Sequence, residues 1–387
     1  MRLILIGNLL SDKQESMSRF AEMLQTGFQN SGYESEIWRP TSFLSIKAKS
    51  TLSGIGKWLG YIDKWILFPL LLRWRILNQG LNNPNVFFHI CDHSNSPYLR
   101  HLPSGQTSIT CHDVLAIRGA LGHADAYCPP SSTGKFLQNW ILTNLIRAEK
   151  IASVSALTLS QLNELAEIRS TQPKNWQVIH NGFNANFYPM SRIERNEILS
   201  KIGLKPDELF LLHVGSNLTR KNRKLLIDMV LALGDNWSGR ICYAGHALDD
   251  DLKQYANSVG LNDRIISIVK PDHTTLIALY SACQSFIFPS LSEGFGWPVI
   301  EAQACGAPVI ASNIEPLPEV SGETAFHADP FNPQEFAKAF LLLEDTVTKD
   351  NLIKQGYENC RRYEPSKMVK AYLNLFGVKN KEFVELS

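Results

Sequence analysis

The sequence lacks the features that mark secreted, membrane-spanning and polyanion-binding proteins. Its seven cysteines include no C-x-x-C pair, which favours reduced thiols in a cytoplasm over a disulfide framework. Because 38 basic residues nearly balance 37 acidic ones, the net charge is +1 and a nucleic-acid partner is not expected. No signal peptide is recognisable before the strand-like segment 2–7. A folded globular protein of two to three domains is expected from the 387 residues.

Segment 57–77 leaves the question of membrane contact open. Its sequence, KWLGYIDKWILFPLLLRWRIL, is interrupted by charges, and its longest uncharged run has eight residues. A spanning helix needs about 20. One interpretation is a helix half buried in its own domain. The other is an amphipathic segment at the cytoplasmic face of a membrane, with tryptophan and basic side chains among the headgroups.

Short apolar runs alternate with helix-length segments in two successive arrays. This alternation predicts an α/β protein with two Rossmann-like, doubly wound parallel sheets, each covered by helices on both faces. The joint is VIHNGFNANFYPMSR (178–192), which contains an Asn-Gly turn and has no sustained period. The strand-like runs are residues 2–7, 34–38, 85–90, 106–111 and 150–155, then 208–214, 239–245, 263–269, 284–290 and 308–312.

The domain organisation follows from these arrays. We expect an N-terminal domain in residues 1–186 and a C-terminal domain in residues 187–365. A last helical segment, within 366–387, is expected to pack back on the first domain. The two domains would face each other across a cleft, with ligands at the carboxyl ends of the strands.

The stretch SEGFGWPVIEAQACG, residues 292–306, predicts a loop followed by a short helix. Pro298 suits the first helical position, and no side chain precedes it that caps a helix. The first-turn N–H groups would then be free to attract an anion. Gly294 and Gly296 allow close approach of the backbone to a ligand.

Two glutamates flank this loop. Glu301 can accept two vicinal hydroxyls, and Glu293 can hold a second polyhydroxyl group. The alternative is that Glu301 is stabilised by the helix dipole and that Glu293 is solvated.

A second candidate is HVGSNLTRKNRKLL, residues 213–226. A strand and a glycine turn precede Arg220, Lys221 and Asn222, which are predicted to open a helix where a diphosphate could lie. The alternative is a solvated basic helix start or a nucleic-acid patch. His112, which follows another strand in CHD, suits either acid-base chemistry or a structural role.

Two metal-like patterns are weaker. Asp249, Asp250 and Asp251 stand where a helix should begin, so capping is the better interpretation. His89, Cys91 and His93 alternate and would share a face of a strand, but tetrahedral zinc would need a further ligand.

Taken together, these segments resemble the retaining, nucleotide-sugar-dependent glycosyltransferases of family 4, which have the GT-B fold. EGFGWPVIE (293–301) matches that family's E-x7-E signature, and the likeness runs over nearly the whole chain. The other landmarks occur in the family's order: CHD (111–113), SVSALTLSQL (153–162), IHNGFNANFYP (179–189) and VGSNLTRKN (214–222).

The resemblance implies roles for single residues. Glu301 matches the acid that holds the ribose hydroxyls, and Glu293 matches the acid near the donor sugar. Lys221 matches the diphosphate-binding lysine, and His112 matches the histidine beside the transferred sugar. The backbone of Phe295 and Gly296 would bind sugar hydroxyls or phosphate.

One departure concerns the glycine turn. Gly215 and Ser216 stand where the family often has Gly-Arg, so a guanidinium is missing there. Arg220 is the predicted substitute.

The implied activity is transfer of a sugar from GDP-mannose or a UDP-sugar to an acceptor hydroxyl, with retained configuration. The acceptor would be a glycan or a lipid-linked glycan in surface polysaccharide or glycolipid synthesis. No metal or other cofactor is expected. Two rival interpretations are a glycoside hydrolase that uses Glu293 and Glu301, and a nucleotide-sugar binding protein without turnover.

Overall fold

The structure, a computed structural model, describes residues 1–12, 14–47 and 54–378. The chain divides into two compact units. One consists of Met1–Asn184 and Pro365–Ser387, and the other of Ala185–Glu364. The sequence placed these boundaries at 186/187 and 365/366. Residues 379–387 of the predicted terminal segment lie outside the described residues.

The N-terminal unit is built on a six-stranded parallel sheet. Its strands are β1 (Arg2–Ile6), β2 (Glu34–Trp38), β3 (Val86–Ile90), β4 (Thr107–Cys111), β5 (Lys150–Ser153) and β6 (Asn175–Val178). Its helices up to residue 168 are α1 (Glu15–Asn30), α2 (Gly54–Ile62), α3 (Phe68–Asn78), α4 (Leu115–Leu121), α5 (Ser132–Leu145) and α6 (Ala156–Ile168). The strand order is β2-β1-β3-β4-β5-β6. Leu3 to Ile6 of β1 are fully buried, as expected for a strand covered on both faces.

The C-terminal unit repeats this architecture. Its helices are α7 (Arg192–Lys201), α8 (Lys224–Leu233), α9 (Asp250–Ser258), α10 (His273–Ala282), α11 (Trp297–Ala304), α12 (Leu317–Ser321), α13 (Pro333–Leu341) and α14 (Thr346–Cys360). Its strands are β7 (Phe210–Gly215), β8 (Arg240–Gly245), β9 (Ile265–Val269), β10 (Ser285–Phe288), β11 (Val309–Ser312) and β12 (Phe326–Ala328). The sheet is parallel in the order β12-β11-β10-β7-β8-β9, so the order switches direction between β7 and β10.

The last helix, α15 (Pro365–Phe376), belongs to the N-terminal unit. Its Tyr372 is fully buried and forms a 2.7 Å hydrogen bond with the hydroxyl of Thr110 on β4. The ring of Phe376 contacts the rings of Phe28 on α1 and Phe87 on β3. The N-terminal core therefore contains side chains from both ends of the described chain.

The predicted fold class, two doubly wound parallel sheets, is confirmed. All ten predicted strands are present, each within two residues of its predicted bounds. The sequence missed β6 and β12, which are edge strands of their sheets. Asp249 caps α9 as predicted, accepting a hydrogen bond from the Leu252 N–H at 2.9 Å.

Segment 57–77 is helical, and a π-helical turn, Asp63–Leu67, joins α2 to α3. Phe68, Leu72 and Ile76 pack into the core of the N-terminal unit. Within the described ranges, no helix has the length and the apolar character needed to cross a bilayer. The seven cysteines are free thiols.

Candidate active site

The direction switch of the C-terminal sheet brings two predicted site segments together. Arg220 and Lys221 follow β7, and Glu293 follows β10. Since β7 and β10 are adjacent and parallel, the segments after them meet at the carboxyl edge of the sheet. Crevices at such switch points are where open α/β sheets bind ligands.

Glu293 forms ion pairs with both cations, and we call these three side chains the ion triad. Its Oε1 lies 2.5 Å from Lys221 Nζ, and its Oε2 lies 2.8 Å from Arg220 Nη1. Arg220 Nη1 also donates to the Ser292 carbonyl at 2.8 Å, which ties the cationic segment to the acidic loop. The Lys221 ammonium lies 4.9 Å from the centre of the Phe288 ring, within the range of a cation–π contact.

The electrostatics of the ion triad keep Glu293 ionised. Burial by itself would raise the pKa of the Glu293 carboxyl, but Lys221 and Arg220 lower it to about 2. Burial lowers the pKa of Lys221, and the Glu293 carboxylate opposes that shift. A carboxyl with this pKa is a poor general acid near neutral pH, so Glu293 suits binding better than proton donation.

The pKa of Glu293 makes the stability of the protein depend on pH. Its folded pKa of about 2 lies below the ordinary 4.5, so its contribution is complete above pH 4.5 and is lost as the pH falls toward 2. We expect this loss to amount to about 3 kcal/mol of unfolding free energy. In Glu293→Gln, the unfolding free energy should be lower at pH 7 but should fall less between pH 5 and 3. Urea denaturation at several pH values measures both, and parallel pH profiles for the two proteins would contradict this assignment.

The local structure of the cationic segment differs from the prediction. Arg220 and Lys221 do not open a helix, because they lie in a short 3₁₀ turn, Thr219–Lys221. Asn222 follows in the left-handed conformation (φ 50°), and its side chain donates to the Pro330 carbonyl at 2.7 Å. Helix α8 begins only at Lys224. The left-handed residue thus ends the turn and separates the two cations from the helix.

Gly215 and Ser216 lie where the predicted glycine turn was placed. Gly215 ends β7 and pairs with Gly245 at the end of β8. Gly245 has a φ of 119°, and a Cβ there would stand 2.5 Å from the Gly215 carbonyl oxygen. Both strands therefore end in a close approach of backbones that a side chain at 245 would disrupt. Ser216 is half-buried immediately after the strand.

Helix α11 begins after a glycine, and its first turn differs from the prediction in two respects. Gly296 is the N-cap, at a φ of 101°, and no side chain caps the helix. The helix begins at Trp297, so Pro298 is its second residue and not its first. The first-turn amides are not all free, because the Val299 N–H donates to the Gly296 carbonyl at 3.0 Å.

Close packing fixes this loop. A Cβ on Gly296 would lie 2.7 Å from Cδ2 of Leu317. Any residue larger than glycine would therefore fit at position 296 only if the Leu317 side chain moved. The Phe295 ring is buried, with contacts to the rings of Trp297 and Tyr363. Gly294 precedes it and follows Glu293 directly. Packing on both sides therefore holds the backbone of 294–296 in a fixed position next to Glu293.

Glu301 is buried in the first turns of α11 and is held by a partner that the sequence did not reveal. Tyr280 on α10 donates a hydrogen bond from its hydroxyl to Oε2 of Glu301 at 3.0 Å. Tyr280 is fully buried; burial, and then the Glu301 carboxylate, hold its pKa well above the usual range. The hydroxyl therefore stays protonated and orients one carboxylate oxygen of Glu301.

His213, on β7, lies beside Gly215 and close to Lys221. Its Nδ1 lies 3.1 Å from the Ile287 carbonyl, which can only accept, so Nδ1 carries the proton. Burial lowers its pKa to about 3, so the ring is neutral. Its Nε2 is buried without a hydrogen-bond partner in the described part of the chain.

In the N-terminal unit, His112 follows β4 directly. Its Nε2 donates to the Cys91 carbonyl at 2.8 Å, and the ring meets Phe20 edge-on at 4.5 Å. Burial lowers its pKa, and the nearby Asp92 carboxylate opposes this shift. The neutral ring then has its Nδ1 lone pair available to accept a hydrogen bond from a hydroxyl.

The His89, Cys91 and His93 pattern does not form a metal site. Both ring nitrogens of His89 are engaged, Nδ1 with the Ser108 hydroxyl at 2.8 Å and Nε2 with the Thr110 hydroxyl at 2.9 Å. Burial lowers the His89 pKa to about 3. Strand β3 ends at Ile90 and a 3₁₀ helix begins at His93, so the three side chains do not share a face of a strand as the sequence predicted.

Comparison with known proteins finds a family match in the C-terminal unit. Residues 194–359, which lie within that unit and contain the ion triad and Glu301, match the family described as Glycosyl transferases group 1. The C-terminal unit thus carries a segment similar to the group 1 glycosyltransferases.

This chain covers only part of two curated relatives. The serotype-specific mannosyltransferase WbdA of Escherichia coli is 30% identical over 258 residues, which are 65% of this chain and 30% of WbdA. The D-inositol 3-phosphate glycosyltransferase of Mycobacterium marinum is 27% identical over 216 residues, 54% of this chain and 44% of that protein. The chain thus spans less than half the length of either relative.

A solved structure supports the fold. The crystal structure of HepE from Anabaena, in complex with UDP and glucose, matches with a TM-score of 0.72 at 16% identity. The match covers 98% of this chain and 100% of HepE. The chain therefore has the GT-B fold.

Proposed function

We propose that this protein transfers a sugar from a nucleoside diphosphate sugar to an acceptor hydroxyl, with retained anomeric configuration. The observation that carries the proposal is the ion triad at the switch point of the C-terminal sheet. Two adjacent cations are held there by a single buried carboxylate. A diphosphate offers the same cations more negative charge than Glu293 does, and charge-assisted contacts with phosphate are strong.

In this proposal, donor binding changes the partners of the ion triad. The diphosphate takes over contacts of Arg220 and Lys221, and the Glu293 carboxylate accepts hydrogen bonds from the donor sugar. Arg220 then replaces the arginine that the family often has at the Ser216 position. Glu301, held by Tyr280, accepts the two ribose hydroxyls of the nucleotide.

The chemical step breaks the bond between the sugar C1 and the diphosphate oxygen and forms a bond from C1 to the acceptor oxygen. The acceptor proton passes to the departing diphosphate. Negative charge develops on that leaving group, where Lys221 and Arg220 are preorganised to stabilise it. We propose that these cations suffice without a metal ion, and that His112 accepts a hydrogen bond from the transferred sugar.

A hexose is the proposed sugar, from GDP-mannose or a UDP-sugar, because WbdA is named a mannosyltransferase and HepE was crystallised with UDP and glucose. The proposed acceptor is a glycan or a lipid-linked glycan of surface polysaccharide or glycolipid synthesis. The proposed location is the cytoplasm, at the inner face of the membrane.

A thermal-shift screen tests the proposal, with GDP, UDP, ADP and their sugars as probes. A nucleotide present at 100 times its Kd should stabilise the protein by about 2.7 kcal/mol. The nucleotide sugar that shifts the melting temperature is then incubated with acceptor glycans, and NMR identifies the anomer formed. Absence of a shift with every nucleotide would contradict the proposal. Hydrolysis of a simple glycoside without nucleotide would favour the hydrolase instead.

A further inference from the structure

The outer face of the 54–78 helical segment is apolar and exposed. Six large side chains on it recur at helical spacing, separated by three, four or, across the π-helical turn, eight residues. We call this set the 55–77 face. Its members, with their exposed fractions, are Ile55 (79%), Trp58 (59%), Ile66 (54%), Leu70 (60%), Trp74 (59%) and Leu77 (80%).

The neighbouring loop adds to the apolar surface. Asp63 binds this loop to the helix by accepting hydrogen bonds from the backbone N–H groups of Leu44 and Ser45, both at 3.0 Å. Phe43, Leu44 and Ile46 are all exposed. The apolar surface is therefore broader than one helix.

Two of the five charges that interrupt this segment in the sequence point inward. Asp63 is buried and bonded to the 44–45 loop, including the Ser45 hydroxyl at 2.6 Å. Lys64 is buried and paired with Asp12 at 2.7 Å. Neither side chain therefore reduces the apolar character of the 55–77 face.

The charge left within the 54–78 segment has one sign. Asp63 is the single acid between residues 54 and 78, and it is internal. Lys57, Arg73 and Arg75 remain, and none of them has an acidic partner within 4 Å in the described part of the chain. Lys57 lies over the Tyr61 ring, and Arg75 lies over the Trp38 ring. Aromatic, aliphatic and basic groups together, without acids, complement an anionic lipid surface.

We propose that the 55–77 face lies in the plane of an anionic bilayer surface, with Trp58 and Trp74 among the headgroups. The apolar runs of the segment are too short to span a bilayer, and its inner face packs into the protein core. The segment therefore binds parallel to the membrane surface. Its 25 residues extend over roughly 35 Å. A second copy of the chain fits this face less well, because two such faces would bring their unpaired cations together.

The test is flotation of the purified full chain with phosphatidylcholine vesicles, with and without 30 mol% phosphatidylglycerol. The chain should bind the anionic vesicles at least about tenfold better than the neutral ones, since each basic residue near the surface contributes on the order of 1 kcal/mol. Leu70→Glu/Trp74→Glu should lower that binding about tenfold or more. Lys57→Gln/Arg73→Gln should lower binding to the anionic vesicles but not to the neutral ones. The binding that remains should depend less on salt concentration.

A matched control separates this effect from a general loss of surface hydrophobicity. Ile193, on α7, is 83% exposed in the other unit, and Ile193→Glu should leave vesicle binding unchanged. The thermal shift with nucleotide should persist in Leu70→Glu/Trp74→Glu, which shows that the fold and the donor site are intact. Failure of vesicle binding is thereby distinct from failure of the proposed transferase function.

Two results would overturn the proposal. One is equal vesicle binding by the wild-type chain and Leu70→Glu/Trp74→Glu, or no binding by either. The other is a wild-type dimer in light scattering that Leu70→Glu/Trp74→Glu dissociates, without vesicle binding. In that case the 55–77 face joins copies of the chain.

Discussion

Lys221→Met should abolish most transfer activity and should also destabilise the C-terminal unit. Loss of one preorganised cation at the leaving group is expected to lower kcat about 10²- to 10³-fold. Glu293 would keep only Arg220 as a partner, and breaking a buried ion pair from one side costs about 3–5 kcal/mol. Since Arg220 remains, we expect the lower end of that range. Steady-state kinetics and urea denaturation measure the two effects.

The double variant Lys221→Met/Glu293→Gln separates these effects. Removing both charges should restore most of the lost stability, while activity stays low. Lys224→Met is the matched control, because Lys224 begins α8 three residues later and is largely exposed. Its unfolding free energy should change by less than about 0.5 kcal/mol. Wild-type activity in Lys221→Met would exclude the proposed role of the ion triad.

Glu301→Ala should weaken nucleotide binding by at least about 10- to 100-fold, because even one of its two hydrogen bonds to the ribose contributes roughly 1.5–3 kcal/mol when the acceptor is charged. Tyr280→Phe should weaken it by a smaller factor, about three- to tenfold, since the carboxylate remains but loses the hydroxyl that orients it. Isothermal titration calorimetry with the nucleotide found in the screen measures both.

The comparison of these two variants tests how Glu301 acts. Glu344→Ala, which changes an exposed glutamate of the same unit, should bind nucleotide as the wild type does. Unchanged affinity in Glu301→Ala would remove its proposed ribose role. A Tyr280→Phe variant with wild-type affinity would limit Tyr280 to a packing role.

Most of the fold could be predicted from the sequence because buried parallel strands are short apolar runs. RLILI and VFFHI are of this kind, and both were placed within a residue. The strands that were missed, NWQV (β6) and FHA (β12), are short edge strands and contain polar side chains. The other edge strands, β2 and β9, were predicted, so the short length and the polar side chains of β6 and β12 account for the missing apolar signal.

The sequence pointed to the residues of the candidate site but did not reveal the contacts between them. The sequence and its family resemblance pointed to Lys221, Glu293 and Glu301 separately. That Lys221 and Glu293 touch across 72 positions depends on β10 lying beside β7, and local patterns carry no information on strand order. The contact of Tyr280 with Glu301 joins two different helices. Local patterns do not show how helices pack against each other, so this contact was not predicted either.

The helix starts were misplaced because backbone conformation was not visible in the sequence. Asn222 adopts a left-handed conformation and ends a 3₁₀ turn, whereas RKN alone reads as the first turn of a helix. At α11, Gly296 initiates the helix one residue earlier than Pro298 suggested. In both cases a single residue of positive φ decided the boundary.

Because α15 packs in the N-terminal unit, the two units complete their cores in a defined order during synthesis. The C-terminal unit is one continuous stretch, Ala185–Glu364, and all its strands are translated before α15. The N-terminal sheet, although translated before the C-terminal unit, lacks Tyr372 and Phe376 until α15 has emerged. Of the two units, the N-terminal one is therefore the last to close its core, which reverses the usual order in which the earlier domain folds first.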